Sequence, residues 1–271
     1  MSTTTAPTPS TRRHPLTALA KAEYLQFRRN TTLMAMGVLF PVAIPLVPFV
    51  LALRKGDVDA QVMATTFETF ALMSLLFVQY YSVLSMITSR RSAGVLKRLR
   101  TGESADWQLQ VAPMVPGAAL SLAGIVLTAV VTYGTGGPAP VNVLAMLLAL
   151  TGGLVVFSLL ALATSVFTKN TEAAQVTSLP LMAVAMVGLS TIRTLLPENL
   201  AAVVTWTPFA AVSDLMSLGS AGRLATASTS SASLDFSGTF AEMGQPLAIL
   251  AVWSLLALVL VRRSFRWDDR G

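Results

Sequence analysis

The side chains able to do chemistry in this 271-residue sequence are few, and their placement excludes more than it offers. Cysteine is absent and the single histidine, His14, stands in a polar N-terminal stretch, which removes disulfides, thiolate nucleophiles and Cys- or His-based metal sites together. None of Lys21, Lys55, Lys97 and Lys169 follows a glycine, so the sequence has no G-x-x-x-x-G-K-[ST] phosphate loop, and ATP hydrolysis by this chain is not expected. Two polar features remain. One is the stretch Ser89–Gln110, SRRSAGVLKRLRTGESADWQLQ, which carries five of the nineteen Lys and Arg between two long apolar segments. The other lies in the apolar segment before it. There Glu68, Leu72, Leu75, Gln79 and Ser82 follow i, i+4, i+7, i+11 and i+14, which at roughly 100° per residue sets them on one narrow helix face. A glutamate and a glutamine turned to lipid would be costly, so this face is expected to look into a bundle, a subunit interface or a wet cavity.

The elements that must position these residues follow from composition. At 54% hydrophobic and 12% charged residues, the chain has too few polar side chains to cover a soluble globule, where about 25% charged is usual. A polytopic all-α membrane protein is expected. Residues 1–15 are Ser, Thr, Pro and Arg with little apolar content and read as a disordered tail with no signal-peptide core. Leu16–Arg29 puts Leu16, Leu19, Ala20, Tyr24 and Phe27 on one helical face and Lys21, Arg28 and Arg29 off it, the pattern of an amphipathic helix on a membrane surface. Six apolar segments follow, at about residues 32–53, 62–88, 113–133, 141–167, 176–196 and 246–261. Residues 16–271 are therefore read as one membrane domain of six transmembrane helices preceded by an N-terminal amphipathic interfacial helix.

Charge orients the six spans. The net charge of +6 would suggest nucleic acid in a soluble chain, but with the N terminus inside, fifteen basic residues fall in inner segments and only Arg54, Lys55, Arg193 and Arg223 in outer ones. Both termini and the loop 89–112 are thus expected in the cytoplasm, with no nucleic-acid partner. Arg90, Arg91, Lys97, Arg98 and Arg100 would each cost about 2.5–3.5 kcal/mol at a bilayer centre, which places that loop in water. Its C-terminal part reads as a short helix with Ser104 as cap, Asp106 in the first turn and Pro113 closing it. Small residues at Gly117, Ser121, Gly124 and Thr128, and at Ala145, Ala149 and Gly152, are spaced for close helix packing in lipid. The longest outer loop, 197–245, divides in two. Its first part is apolar enough to dip back into the membrane or lie on it, with Trp206 and Phe209 as interfacial anchors, and Ser220–Gly238 reads as a water-exposed loop.

With these elements in place the chain resembles the membrane subunit of type-2 ATP-binding-cassette exporters, the daunorubicin-resistance-like branch in particular. The residues that carry the resemblance are Gly94-Val95-Leu96-Lys97-Arg98-Leu99-Arg100-Thr101, similar to that family's Gly-Thr-Leu-x-x-Leu-x-x-Thr stretch ahead of its coupling helix. TKNTEAAQ at Thr168–Gln175, Leu196-Pro197 and the turn Trp206–Pro208 add to it. Arg90 and Ser92 stand where the family often has acids, and Gly102 where it often has proline. The resemblance implies a permease with no catalytic or metal site, paired with a second copy or a paralogue in the lipid bilayer of the cytoplasmic membrane. It implies two separate ATPase subunits that bind ATP and magnesium, none of which this chain would hold as a cofactor. It also implies coupling to those ATPases through Gly94, Leu96, Leu99, Glu103, Asp106 and Trp107. Spans two and five line the central interface in that family, which would bring Arg193 within reach of Glu68. The cargo expected from wide apolar spans is hydrophobic or amphipathic, such as a drug, a lipid or a polyketide.

Three other classes can be weighed from the residues. A secondary transporter or channel would be expected to carry midplane carboxylates or duplicated halves, and Glu68 is the one acid clearly inside an expected span. An intramembrane enzyme needs a nucleophile and base or a metal pair, and no His, Cys, Lys or paired carboxylate lies within the expected spans. A non-transporting membrane anchor or sensor is the third alternative.

Overall fold

Helix caps written into the sequence divide the chain, and no strand occurs among the described residues. The computed structural model describes residues 25, 39–95, 106–227 and 232–265. Helix α1, Phe40–Lys55, begins with Pro41 in its first turn, where a missing N–H is harmless, and ends at Gly56 in the left-handed region. Arg54 and Lys55 in its last turn oppose the negative end of the helix dipole. Asp59 then accepts a hydrogen bond from the Val62 amide at 2.8 Å and starts α2, Ala60–Ser92. A short helix α3, Asp106–Val111, precedes α4, Met114–Gly134. Asn142 caps α5, Val143–Ser165, and Asn170 caps α6, Thr171–Met186, each by accepting from the amide three residues on. Three short pieces follow: α7, Ser190–Arg193; α8, Glu198–Thr205; and α9, Pro208–Ala221. The last helix, α10, spans Phe236–Ser264.

Four of these helices, α2, α4, α5 and α10, are long and apolar enough to cross a membrane. The count rises to five if α8 and α9, which meet at 85°, form one broken span or re-entrant loop. The chain is therefore a multi-pass membrane protein. Helix α1 covers the second part of the segment expected at 32–53, whose first residues lie outside those described. The segment expected at 176–196 is shared between α6, a turn and α7. The tail 1–15 and the surface helix expected at Leu16–Arg29 also lie outside the described residues, Leu25 excepted.

The largest difference from expectation is the stretch after α7. Every residue of α9 is buried, against α2, α5 and α10, so this outer "loop" contains the most enclosed helix of the bundle. Its start is fixed by Thr207, whose hydroxyl accepts from the Ala210 amide at 3.3 Å, with Pro208 in the first turn. Phe209 is consequently no interfacial anchor: its ring packs edge-on against Phe157 at 5.5 Å in the core. Trp206 stays exposed, and its carbonyl accepts from the Trp253 indole at 2.9 Å, well inside α10. Ser220 and Ala221 belong to α9 rather than to a watery loop. Helix α10 starts ten residues before the apolar run at Pro246, because exposed Asp235 accepts from the Gly238 amide at 2.8 Å and caps a first turn that hydropathy alone does not mark.

The small residues sit where backbones converge. On α4, a Cβ at Gly117 would come 2.5 Å from Gln79 and one at Gly124 would come 2.9 Å from Phe70, while the Ser121 hydroxyl accepts from Ser74 at 2.8 Å. That stripe fits α4 to α2. On α5, Ala145 and Ala149 are fully buried, and Gly152 faces Leu250 of α10. A Cβ at Gly219 of α9 would meet Met146 at 2.3 Å and the Asn142 carbonyl at 2.7 Å. Without lipid-driven hydrophobic association, such close approach is what holds these helices together.

Candidate functional site

Glu68 lies two turns into α2 and points into the bundle, where it gathers three donors. Ser190 supplies its backbone amide, free because it opens α7, and its hydroxyl at 2.6 Å; Ser213 of α9 supplies a hydroxyl. Arg193, one turn on from Ser190, pairs with Asp214 instead of Glu68. Its Nη2 donates to Oδ1 at 2.6 Å and its Nη1 to Oδ2 at 3.2 Å, the forked geometry that suits a guanidinium to a carboxylate. Nη2 also donates to the Ser213 hydroxyl at 3.1 Å, so Ser213 links the cation to Glu68. The expected approach of Glu68 and Arg193 thus takes place through an intermediary. All five residues are buried, and together they tie α2, α7 and α9 into one node with two carboxylates and one guanidinium.

Sequence reasoning missed Ser190, Ser213 and Asp214. A signal was present in Asp214, a lone carboxylate in the apolar run of α9, where burial demands a partner. Reading that run as an outer segment that dips back into the membrane or lies on it left Asp214 without an assigned partner.

The other residues of the α2 face diverge. Residues Ser74–Tyr81 form a π-helical stretch, so the i, i+4, i+7 pattern slips and the straight face expected from Glu68 to Ser82 is not maintained. Leu72 and Leu75 are fully buried in the chain's own core, Leu75 against Gly153 of α5. Ser82 donates to the Phe77 carbonyl at 3.4 Å within the stretch. Gln79 does face a polar partner: its Nε2 donates to the Ser158 hydroxyl at 2.6 Å and to the Met114 carbonyl at 3.3 Å, joining α2, α5 and α4. Glu68 and Gln79 are therefore the centres of two separate nodes.

At the far end of α2 the resemblance motifs have visible local roles. Arg91, expected in a water-filled loop, is buried and donates through Nη2 to the Thr168 carbonyl. Burying its stem costs less than it would for an unpaired ion because the guanidinium is hydrogen-bonded. Thr168 meets Thr177 at 2.9 Å between hydroxyls, so the turn of TKNTEAAQ braces the end of α2. Gly94 has φ +66°, with its amide on the Arg91 carbonyl at 3.0 Å, the left-handed glycine that ends a helix. Asp106 and Trp107 stand on α3, where Trp107 is 56% exposed. Leu96, Leu99, Glu103 and Ser104 lie outside the described residues. No group of His, Asp and Glu able to hold a metal occurs among the described residues.

These features define a helical membrane component built around buried hydrogen-bonded nodes. The sequence model of the ABC-2 type transporter family matches residues 14–217, more than half of the chain. The chain belongs to that family. It is the membrane, permease part of an ABC transporter, a component that is not itself catalytic, and family membership implies an ATPase partner. A search of curated proteins found no match.

Proposed function

We propose that this chain is the permease of an ATP-driven exporter that moves a hydrophobic or amphipathic substrate out across the cytoplasmic membrane. In this reading it belongs to the daunorubicin-resistance-like branch, has six spans and a preceding interfacial helix, and keeps both termini in the cytoplasm. Two ATPase subunits bind ATP and magnesium, and a second permease copy or a paralogue completes the path. Helix α6 supports a paired arrangement, since Val176, Leu179 and Val184 are exposed along it and it has few neighbours among the described residues.

The observation that carries the reading is α3. In a chain of this family, a short helix that leaves Asp106 and Trp107 exposed ahead of a span is suited to insert into an ATPase groove, with Glu103 as a further contact. Gly94 and the Arg91–Thr168 contact would transmit movement of that helix to α2 and the α5–α6 turn. At the other end of α2, the Glu68 node would hold the α8–α9 hairpin closed until the bundle rearranges. The test is purification with any ATPase encoded beside this chain, followed by a screen for compounds that raise ATP hydrolysis. Stimulation by amphipathic compounds is expected, and an ATPase that neither binds nor responds would reject the reading.

A further inference from the structure

A cavity of about 670 Å³ opens between α4, α5 and α10 at the end of the bundle where α3 lies. Both α4 and α10 lie beside α5, yet they share no substantial contact with each other, which leaves a slot between them. Two helix faces form its walls. Leu154, Ser158 and Leu162 follow at i, i+4 and i+8 on α5, and Leu258, Val261 and Arg262 at i, i+3 and i+4 on α10. The wall of α10 therefore changes from aliphatic to guanidinium within one turn. Exposed Trp107 sits on the same rim.

We propose that this cavity holds one anionic glycerophospholipid of the surrounding bilayer, an acyl chain against Leu154, Val155 and Leu258, and its phosphate on Arg262. Protein interiors leave few voids larger than a water molecule, and a space of this size lies within the range of about 300–1,000 Å³ that encloses drug-sized ligands. Water would gain little from its aliphatic walls. Val155 is 52% exposed, as a wall open sideways to lipid would be. Charge selects the headgroup. Arg262 lines the cavity and has no ion pair among the described residues. Basic pockets between spans attract anionic headgroups for this reason.

The inference rests on the membrane placement of α4, α5 and α10 and is independent of what is transported, so its test reads lipid retention alone. The full chain, purified in neutral detergent, is given phosphatidylglycerol or phosphatidylcholine and examined by native mass spectrometry. One bound phosphatidylglycerol is expected, with roughly fivefold preference over phosphatidylcholine. Arg262→Gln should reduce that preference to about one, whereas Arg263→Gln, one residue outside the cavity, should leave it. Val155→Trp fills the slot from an exposed position, and should abolish retention of both lipids at an unchanged melting temperature. Equal retention of the two lipids by the native chain, equal effects of the two arginine variants, or undiminished retention by Val155→Trp would each overturn the proposal.

Discussion

Arg193 and Asp214 show how a buried pair is judged one side chain at a time. Removing a single partner leaves the other charge without compensation at a buried site, which costs about 3–5 kcal/mol, whereas removing both can be close to neutral. Arg193→Gln and Asp214→Asn should each lower the melting temperature of the detergent-solubilised chain clearly, and the double variant should lose much less than the two losses added. Strict additivity in that cycle would mean the pair is not the unit described here. Gly117 supports a second test. A methyl there would meet Gln79 Oε1 at 2.5 Å and the Val78 carbonyl at 2.7 Å, and backbone cannot swing away. Gly117→Ala should therefore destabilise by about 1–3 kcal/mol, while Gly134→Ala, with nothing within 4 Å of the added carbon, should be tolerated. Equal melting temperatures for the two variants would reject this packing. Glu68 and Gln79 were legible as residues that need polar company, because lipid makes an unpaired polar group costly, and Arg193 was brought near Glu68 by the family resemblance. Which partner each one found was not, since Asp214 reaches Arg193 only through a bend that sequence periodicity does not encode.

Helices that are apolar and uninterrupted were legible as elements, and α4 and α5 fall close to their expected ranges. The failures have specific physical causes. The π-helical stretch breaks the regular angular step on which the face from Glu68 to Ser82 was built, and nothing in SLLFVQYY distinguishes it from ordinary helix. Helix α9 is too short to span alone, and the expectation that its stretch dips back into the membrane or lies on it left out the burial by three neighbours that more than offsets its length. The start of α10 depends on one cap. The Ser237 hydroxyl and then the Gly238 amide hold the Asp235 carboxyl below the usual carboxylate range. A depressed folded-state pKa means that the capping contribution is complete above the ordinary carboxylate pKa and is lost as pH falls through the lower value. Protection of the Gly238 amide from hydrogen exchange, relative to an unstructured amide at the same pH, should accordingly be present at neutral pH and lost only in acid, and Asp235→Ala should remove it at neutral pH. An unprotected Gly238 amide in the unaltered chain at pH 7 would show that Asp235 does not start the helix.

At the scale of the whole molecule, orientation and coupling go together. The fifteen-to-four division of basic residues expects tags at both termini and within 90–107 to be reached only from the cytoplasm, and a tag within 222–235 only from outside. A cytoplasmic signal from the last tag would overturn the six-span arrangement. The absence of cysteine makes such mapping clean, because a single introduced Cys is the one thiol present. The proposed coupling to an ATPase rests on α3 and the residues before it. The most direct measurement takes the complex of this chain with the ATPase that co-purifies with it, reverses charge at Glu103 and Asp106 together by Glu103→Lys and Asp106→Lys, and records ATPase association and substrate-stimulated hydrolysis beside membrane insertion. Normal insertion with weakened association, or with stimulation abolished, is the expected result; association and stimulation both unchanged in the double variant would contradict coupling through this element.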